Sequence, residues 1–242
     1  MPAPSPRLSI ILPTYNEAGN IVGLITSIRH HLPAEWTHEF WVIDDNSPDG
    51  THALVQNTFR DDPGVHAVLK THEKGLAAAI GTGIQRATGD HLLVMDTDFT
   101  HRPEEIPVML QVSQVCDIVS GSRFCAGGQM SSVRHYIFSF LYNVVLRIIL
   151  RTQIQDNLGG YWIARRALIQ GVNAKLVFSG YGDYYFKLLK LLLRQGARII
   201  EIPSCYAARH EGDSKSNFFR LLFSYTHSAL MFRWYLVRHP QT

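Results

Sequence analysis

The sequence predicts an α/β fold, a mostly parallel central sheet flanked by helices, followed by a C-terminal amphipathic helix. Three observations lead there. Short apolar strands alternate with helical stretches through the first half of the 242-residue chain, as expected when helices cross over between parallel strands. Polar clusters rich in carboxylates sit at the ends of the apolar runs, where ligands gather in open α/β sheets. A composition that is 46% apolar and 18% charged supports one substantial buried core.

The elements follow in order. A strand over residues 8–12 runs into Pro13-Thr14-Tyr15-Asn16-Glu17, and a helix is expected over 17–31 with Glu17 favoured by the dipole of its first turn. The strand at 40–44 ends in Asp44-Asp45-Asn46, and Asp49-Gly50-Thr51 reads as the turn and cap of a helix over 51–60. Pro63-Gly64 breaks the chain before a strand at 65–69, and Lys74-Gly75 precedes a helix at 76–87. The strand at 92–95 leads directly into Asp96-Thr97-Asp98. Pro103 suits the first turn of a helix over 103–115, which a strand at 118–120 follows. The second half is less regular: a helix at 134–151, a turn at Gly159-Gly160, a helix at 183–194, a strand at 199–202 ended by Pro203, a polar loop at 209–216 and a last aromatic-rich helix. With no internal repeat and no linker, the reading is one domain over residues 1–217 and an extension over 218–242.

Several function classes drop out. A net charge of +3 is too mild to argue for nucleic acid. Cys116, Cys125 and Cys205 lack C-x-x-C spacing, which suits reduced thiols in a cytoplasmic compartment and not a zinc site. Residues 1–7 show no basic stretch followed by an apolar run, so no cleaved signal peptide is expected. No clean stretch of about 20 apolar residues stands out, so no spanning helix is expected either. The segments 134–151 and 218–237 do combine apolar and aromatic residues with arginines, a composition suited to lying in the headgroup region of a membrane. Ordinary core or dimer helices are the competing reading.

Asp96-Thr97-Asp98 carries the most chemistry. In extended backbone residues i and i+2 share a face, so the two carboxylates converge on one point at a strand end. Like charges so close favour a cation between them, and a hard divalent ion could also hold substrate phosphates. One Asp capping a helix while the other is solvated stays open on this motif alone. Tyr15 can stack on a base, Glu17 can accept from ribose hydroxyls, and Asp45 can accept from the donors of a nucleobase.

Six ordered motifs resemble family 2 glycosyltransferases: Pro13-Thr14-Tyr15-Asn16-Glu17, Asp44-Asp45 with Ser47-Pro48-Asp49-Gly50-Thr51, Met95-Asp96-Thr97-Asp98, His101-x-Pro103-Glu104, Gly121-Ser122-Arg123-Phe124 and Gly212-Asp213-Ser214-Lys215. Together they look like the dolichol/polyprenyl-phosphate mannosyltransferase branch, over roughly residues 8–217. The resemblance implies a GT-A fold, an inverting transfer, a nucleotide-sugar donor such as GDP-mannose, Mg²⁺ or Mn²⁺, and a polyprenyl-phosphate lipid acceptor at the cytoplasmic face of a membrane. It leaves open a membrane-anchoring partner subunit or a homodimer. By motif, Pro13, Tyr15, Glu17, Ile43, Asp45, Asp96, Thr97, Asp98, Arg209 and Lys215 would bind the donor. Asp96, Asp98 and Arg123 would be catalytic, and Asp98 with Thr100 would hold the metal, Thr100 standing where the family often has Gln. Arg123 matches a phosphate-contacting residue of the family, and Arg134, at the start of the apolar segment, is the other candidate for the acceptor phosphate. Asp156 aligns only loosely. Two alternatives accompany this reading: a family 2 glycosyltransferase with a different nucleotide sugar or a soluble saccharide acceptor, Asp183 being the candidate base for the latter, and a catalytically idle scaffold subunit.

Overall fold

The computed structural model describes residues 5–207 and 218–240. Strand β1 (Arg7–Thr14) pairs in parallel with β2 (Thr37–Asp44) on one side and with β4 (His91–Val94) on the other. Beyond β2 lies β3 (Val65–Leu69), also parallel. The sheet continues past β4 through β7 (Trp162–Arg165), β5 (Ile118–Ser122) and β8 (Ile199–Pro203), in the order β3-β2-β1-β4-β7-β5-β8. All neighbours are parallel except β7, which is antiparallel to both β4 and β5. A two-stranded parallel ladder joins β6 (Gln129–Met130) to β9 (Cys205–Tyr206).

The strands alternate their side chains between two apolar layers. Leu8, Ile10, Leu12, Phe40, Val42 and Leu93 pack with α1 (Ile21–His31), α2 (Thr51–Thr58) and α4 (Ile106–Ser113). Ile11, Leu92, Val94, Trp162 and Ala164 face the other way, against α3 (Leu76–Arg86), α5 (Val133–Leu150), α6 (Arg166–Gln170), α7 (Ala174–Val177), α8 (Tyr184–Arg194) and α9 (Phe218–Arg238).

Three differences from the sequence expectation have local causes. Helix α1 begins at Ile21 instead of residue 17, because the N–H groups of Asn20 and Ile21 both bond to the Glu17 carbonyl, at 3.0 and 2.9 Å, closing a turn first. Strand β7 has no alternating pattern to betray it, since Trp162, Ile163 and Ala164 are buried on both faces of the sheet. The third concerns α5, which by length and composition alone is apolar enough to cross a membrane. Its inner face, with Tyr142, Leu146 and Leu150, belongs to the core, and Asn143 Oδ1 accepts the backbone N–H of Asn157 at 2.7 Å. The helix is therefore fastened along the domain.

A buried carboxylate locks the first strands together. Glu39, 1% exposed, accepts from Ser9 Oγ at 2.6 Å, Thr88 N at 2.7 Å and Arg7 Nη2 at 2.8 Å. Burial alone would raise its pKa, but the Ser9 and Thr88 donors outweigh it and hold Glu39 below the ordinary carboxylate value. This joins β1, β2 and the turn before β4. Replacing Glu39 with Ala strands those donors in the interior and should lower stability by about 3 kcal/mol in urea denaturation. A loss under about 1 kcal/mol would show that water substitutes for the carboxylate.

Candidate active site

Because β1 is followed by a crossover to β2 on one side and, later, β4 lands on its other side, a crevice opens at the C-terminal ends of these strands. The cleft there measures about 660 Å³. Pro13, Thr14, Tyr15 and Glu17 arrive from β1, Asp45 from β2, and Asp96, Thr97 and Asp98 from β4. Lys74, Gly75 and Leu76 come from the start of α3, Tyr181, Gly182 and Tyr184 from the start of α8, and Leu221 and Tyr225 from α9. Since β7 runs antiparallel, the residues just before it reach this same end of the sheet, and Leu158, Gly159 and Gly160 form the remaining wall.

The loops that carry the acidic groups are tightly turned. Asn16, Asn46 and Phe99 have φ of 59°, 59° and 61°, one after each of β1, β2 and β4. Asn tolerates this left-handed region, whereas Phe99 is strained in it. The turn at Phe99 lets both the N–H and the Oγ1 of Thr100 donate to Asp98 Oδ1, at 3.1 and 2.6 Å. Thr100 thus orients the Asp98 carboxylate, and its side chain is not part of the cleft lining. Asp98 itself is buried, while the side chain of Asp96 is 45% exposed.

Asp45 is built to receive a donor. Its Oδ2 accepts the Gly75 N–H at 2.6 Å, and Lys70 Nζ stands 3.9 Å from Oδ1. Oδ1 is buried and has no hydrogen-bond partner among the described residues. Burial raises the pKa of this carboxyl, with Gly75 and Lys70 pulling against the rise. An N–H or O–H donor entering the cleft would complete it.

Behind the carboxylates, His101 is wholly buried and stacked on Tyr161 with ring centroids 4.7 Å apart. Its Nδ1 accepts the Asp96 N–H at 2.9 Å, so the ring proton sits on Nε2, which donates to Tyr206 Oη at 2.7 Å. Tyr206 in turn donates to the Gly159 carbonyl. Sequence reasoning saw His101 only as part of a motif, and Tyr206 not at all.

Arg123 lies outside the cleft lining. Its Nε and Nη2 donate to Asp156 Oδ2 and Oδ1, both at 2.7 Å, and its backbone N–H reaches Oδ2 at 3.1 Å. Burial opposes its charge, but Asp156 more than compensates and the guanidinium is held firmly protonated. The fork edge that remains is Nη1. Tyr206 covers the guanidinium at 4.7 Å. Ile43 is fully buried and its side chain does not line the cleft. Arg134 is exposed in the first turn of α5, and Arg209 and Lys215 lie outside the described residues. Asp183, the alternative base, is held by Lys187 Nζ at 2.6 Å and Ser228 Oγ at 2.7 Å, and ties α8 to α9.

Among the described residues no three His, Cys, Asp or Glu side chains converge as a closed metal cage. The hard carboxylate oxygens of Asp96 and Asp98 both line the cleft. That set fits a divalent cation of the Mg²⁺ type, which binds one or two carboxylates and completes its shell with substrate phosphates and water.

A glycosyl transferase family 2 model matches residues 9–172. A dolichol-phosphate mannosyltransferase of Pyrococcus furiosus is 33% identical over 216 residues, covering 86% of this chain, which spans 59% of that relative's length. An undecaprenyl-phosphate mannosyltransferase of Micrococcus luteus is 32% identical over 219 residues, 86% of this chain and 87% of the relative. A polyprenol monophosphomannose synthase of Mycolicibacterium smegmatis is 32% identical over 219 residues, 88% and 82%. Among solved structures, a glucosyl-3-phosphoglycerate synthase from Mycobacterium tuberculosis with Mn²⁺, UDP and phosphoglyceric acid superposes with a TM-score of 0.71 at 17% identity, covering 94% of this chain and 78% of that one. At that identity the likeness is one of fold.

The His101 network predicts a pH dependence. Burial, only partly offset by the Asp98 carboxylate, lowers His101 from 6.5 to about 4. Between those values the unfolded chain binds the proton and the folded chain does not. The contribution of a neutral His101 is therefore complete above pH 6.5 and lost as pH falls toward 4, at up to about 1.4 kcal/mol per pH unit. Urea denaturation in the presence of a chelator should show a shallower decline for His101→Gln than for wild type over this window. Parallel declines would mean that His101 is protonated in the folded protein.

Proposed function

We propose that this chain, which belongs to glycosyl transferase family 2 and has the GT-A fold, moves a sugar from a nucleotide donor onto a polyprenyl phosphate, the donor being GDP-mannose and the reaction inverting. The observation that carries the proposal is the convergence of Asp45, Asp96 and Asp98 in one cleft whose wall includes α9, a helix with an exposed apolar stripe. The relatives at 32–33% identity, named as mannosyltransferases acting on dolichol, undecaprenol and polyprenol phosphates, support the same substrate classes.

In this reading the nucleoside lies between Tyr15, Pro13 and Asp45, with Asp45 Oδ1 accepting a base N–H. Asp96 and Thr97 face the ribose and sugar. Asp98, oriented by Thr100, would hold Mg²⁺ or Mn²⁺ together with the diphosphate, and the cation would offset the charge that develops on the departing nucleoside diphosphate. Lys74 and the start of α3 add positive potential on the same side. A phosphate oxygen of the acceptor attacks the anomeric carbon from the opposite face, the bond to the diphosphate breaks, and the configuration inverts. The acceptor phosphate is already ionised at neutral pH, so no general base is needed and no proton moves. Arg123, locked by Asp156 with its Nη1 edge remaining, and Arg134 at the start of α5 are the candidates to position it. The exposed apolar stripes of α5 and α9 would rest on the cytoplasmic face of a membrane. A soluble saccharide would require a base, and the lysine on Asp183 keeps its pKa low despite burial, which disfavours it in that role.

The test supplies the protein with Mg²⁺ or Mn²⁺, a panel of labelled nucleotide sugars and a polyprenyl phosphate, followed by solvent extraction. Label in the organic phase, strongest with GDP-mannose, is expected. Label confined to water-soluble products would exclude the lipid acceptor, and no turnover with any donor would favour an idle subunit. Asp98→Asn should cut turnover by about 10²–10³-fold with unchanged thermal unfolding, and chelator should abolish it reversibly. Full activity in either case would remove the metal role from Asp98.

A further inference from the structure

Helices α5 and α9 lie side by side and run in the same direction. Tyr142 Oη donates to the Leu222 carbonyl at 3.1 Å, and, further along both helices, Arg233 Nη1 donates to the Ile149 carbonyl at 2.7 Å. Their C-terminal ends consequently meet, and the end of α8 joins them. Between these three ends is a pocket of about 280 Å³, lined by Arg151, Lys190, Arg194 and Arg233 with Leu150, Leu236 and Val237. From Tyr225, which lines the cleft, to Leu236 at this pocket is about 17 Å along α9 at 1.5 Å per residue.

Part of this positive charge serves the helix ends. Lys190 Nζ donates to the Arg151 carbonyl at 3.0 Å, Arg233 Nη1 also approaches the Ile148 carbonyl at 3.4 Å, and Arg194 reaches the carbonyls of Leu236, His239 and Pro240 at 3.0, 3.5 and 2.5 Å. A helix C-terminus carries about half a negative charge, so three ends supply roughly −1.5 against four cations. Among the described residues none of the four is ion-paired. A surplus of positive charge and of unused N–H donors is left in one concave place. Burial, followed by Arg194, Arg233 and Arg151, pulls the Lys190 ammonium below its ordinary pKa, as expected of a cation lacking a counter-charge.

The pocket also terminates the apolar stripes. Ile148 and Val237 beside it are 70% and 74% exposed, Trp234 is half exposed and carries Arg238 at 3.7 Å over its ring, and neither α5 nor α9 contains an acidic residue. An anion presented next to an apolar layer matches this combination of charge and exposure.

We propose that the Arg151–Lys190–Arg194–Arg233 pocket binds the headgroup phosphate of an anionic phospholipid, so that the α5–α9 face is seated on an anionic membrane at a point separate from the donor cleft. The site rests on the membrane reading above and adds to it the lipid class and the residues that recognise it.

Flotation of the full chain with phosphatidylcholine vesicles, with and without phosphatidylglycerol, tests both levels. Wild type should bind the phosphatidylglycerol vesicles more tightly, and the double variant Arg151→Gln/Lys190→Gln should lose that preference, binding them about 30-fold more weakly at about 1 kcal/mol per charge. The control pair Arg86→Gln/Lys175→Gln, exposed cations elsewhere on the surface, should stay within about twofold of wild type. Thermal unfolding in buffer verifies that each variant is folded, and the single variant Lys190→Gln, expected to weaken binding about fivefold, replaces the double one if that fails to fold. Equal losses in the pocket and control pairs would reduce the effect to diffuse electrostatics and overturn the site. Equal binding of both vesicle types by wild type would overturn the site but leave the membrane reading standing, whereas no binding to any vesicle would overturn both. Inorganic phosphate that raises the melting temperature of wild type but not of the double variant, with no vesicle preference, would assign the pocket to a soluble phosphate and overturn the lipid claim.

Discussion

A single run of hydrogen bonds holds the cleft in register: Asp96 N–H to His101, His101 to Tyr206, and Tyr206 to the carbonyl of Gly159. It joins the end of β4 to the loop before β7, two segments that both line the cleft. The run works in only one protonation state. Nδ1 must accept and Nε2 must donate, which requires a neutral imidazole, and total burial enforces that neutrality. The carboxylate cluster is thus braced by a neutral group that adds no positive charge to it. Arg123 could have discharged the cluster, but Asp156 binds the Nε and Nη2 side of its guanidinium.

What could be read from the sequence follows the length of the interactions involved. The strand over residues 65–69 has the predicted bounds, and the polar turns after β1, β2 and β4 contribute Tyr15, Asp45, Asp96 and Asp98 to one cleft, because each turn directly follows the strand that places it. In the second half the helices expected over 183–194 and 218–237 are present as α8 and α9, but the residues they bring to the site are not legible locally. Tyr184 and Tyr225 reach it through the way these two helices pack, and Gly159 and Tyr206 through an antiparallel strand and a two-stranded ladder that leave no local signal. For Arg123 the charge is legible and the orientation is not, because the latter is set by Asp156, which aligns only loosely with the family pattern.

The cleft and the cationic pocket share a structural member. Helix α9 supplies Leu221 and Tyr225 to the cleft and, further along, Leu236 to the cationic pocket, while Phe223 and Trp234 on its outer side face solvent. Gly182 sets the seating of this helix. Its N–H donates to Tyr225 Oη at 3.1 Å, and a Cβ there would come within 2.5 Å of the same oxygen. The outer surface and the cleft are therefore two sides of one packed layer.

The position of β7 also orders the events of folding. Strands β4 and β5 are adjacent in sequence to the first half of the sheet, yet the strand that fills the gap between them comes much later, Leu93 pairing with Ile163 and Val119 with the same residue. Until β7 arrives, both neighbours present open edges that include Leu92, Leu93, Val94, Ile118 and Val119, and the loop that must be closed to cover them is long. A nascent chain that has emerged only as far as α5 therefore exposes two sticky strand borders and an apolar helix together. Seating residues 162–165 in the middle of the sheet is thus a non-local pairing, of the kind whose loop-closure entropy must be met before its contacts form.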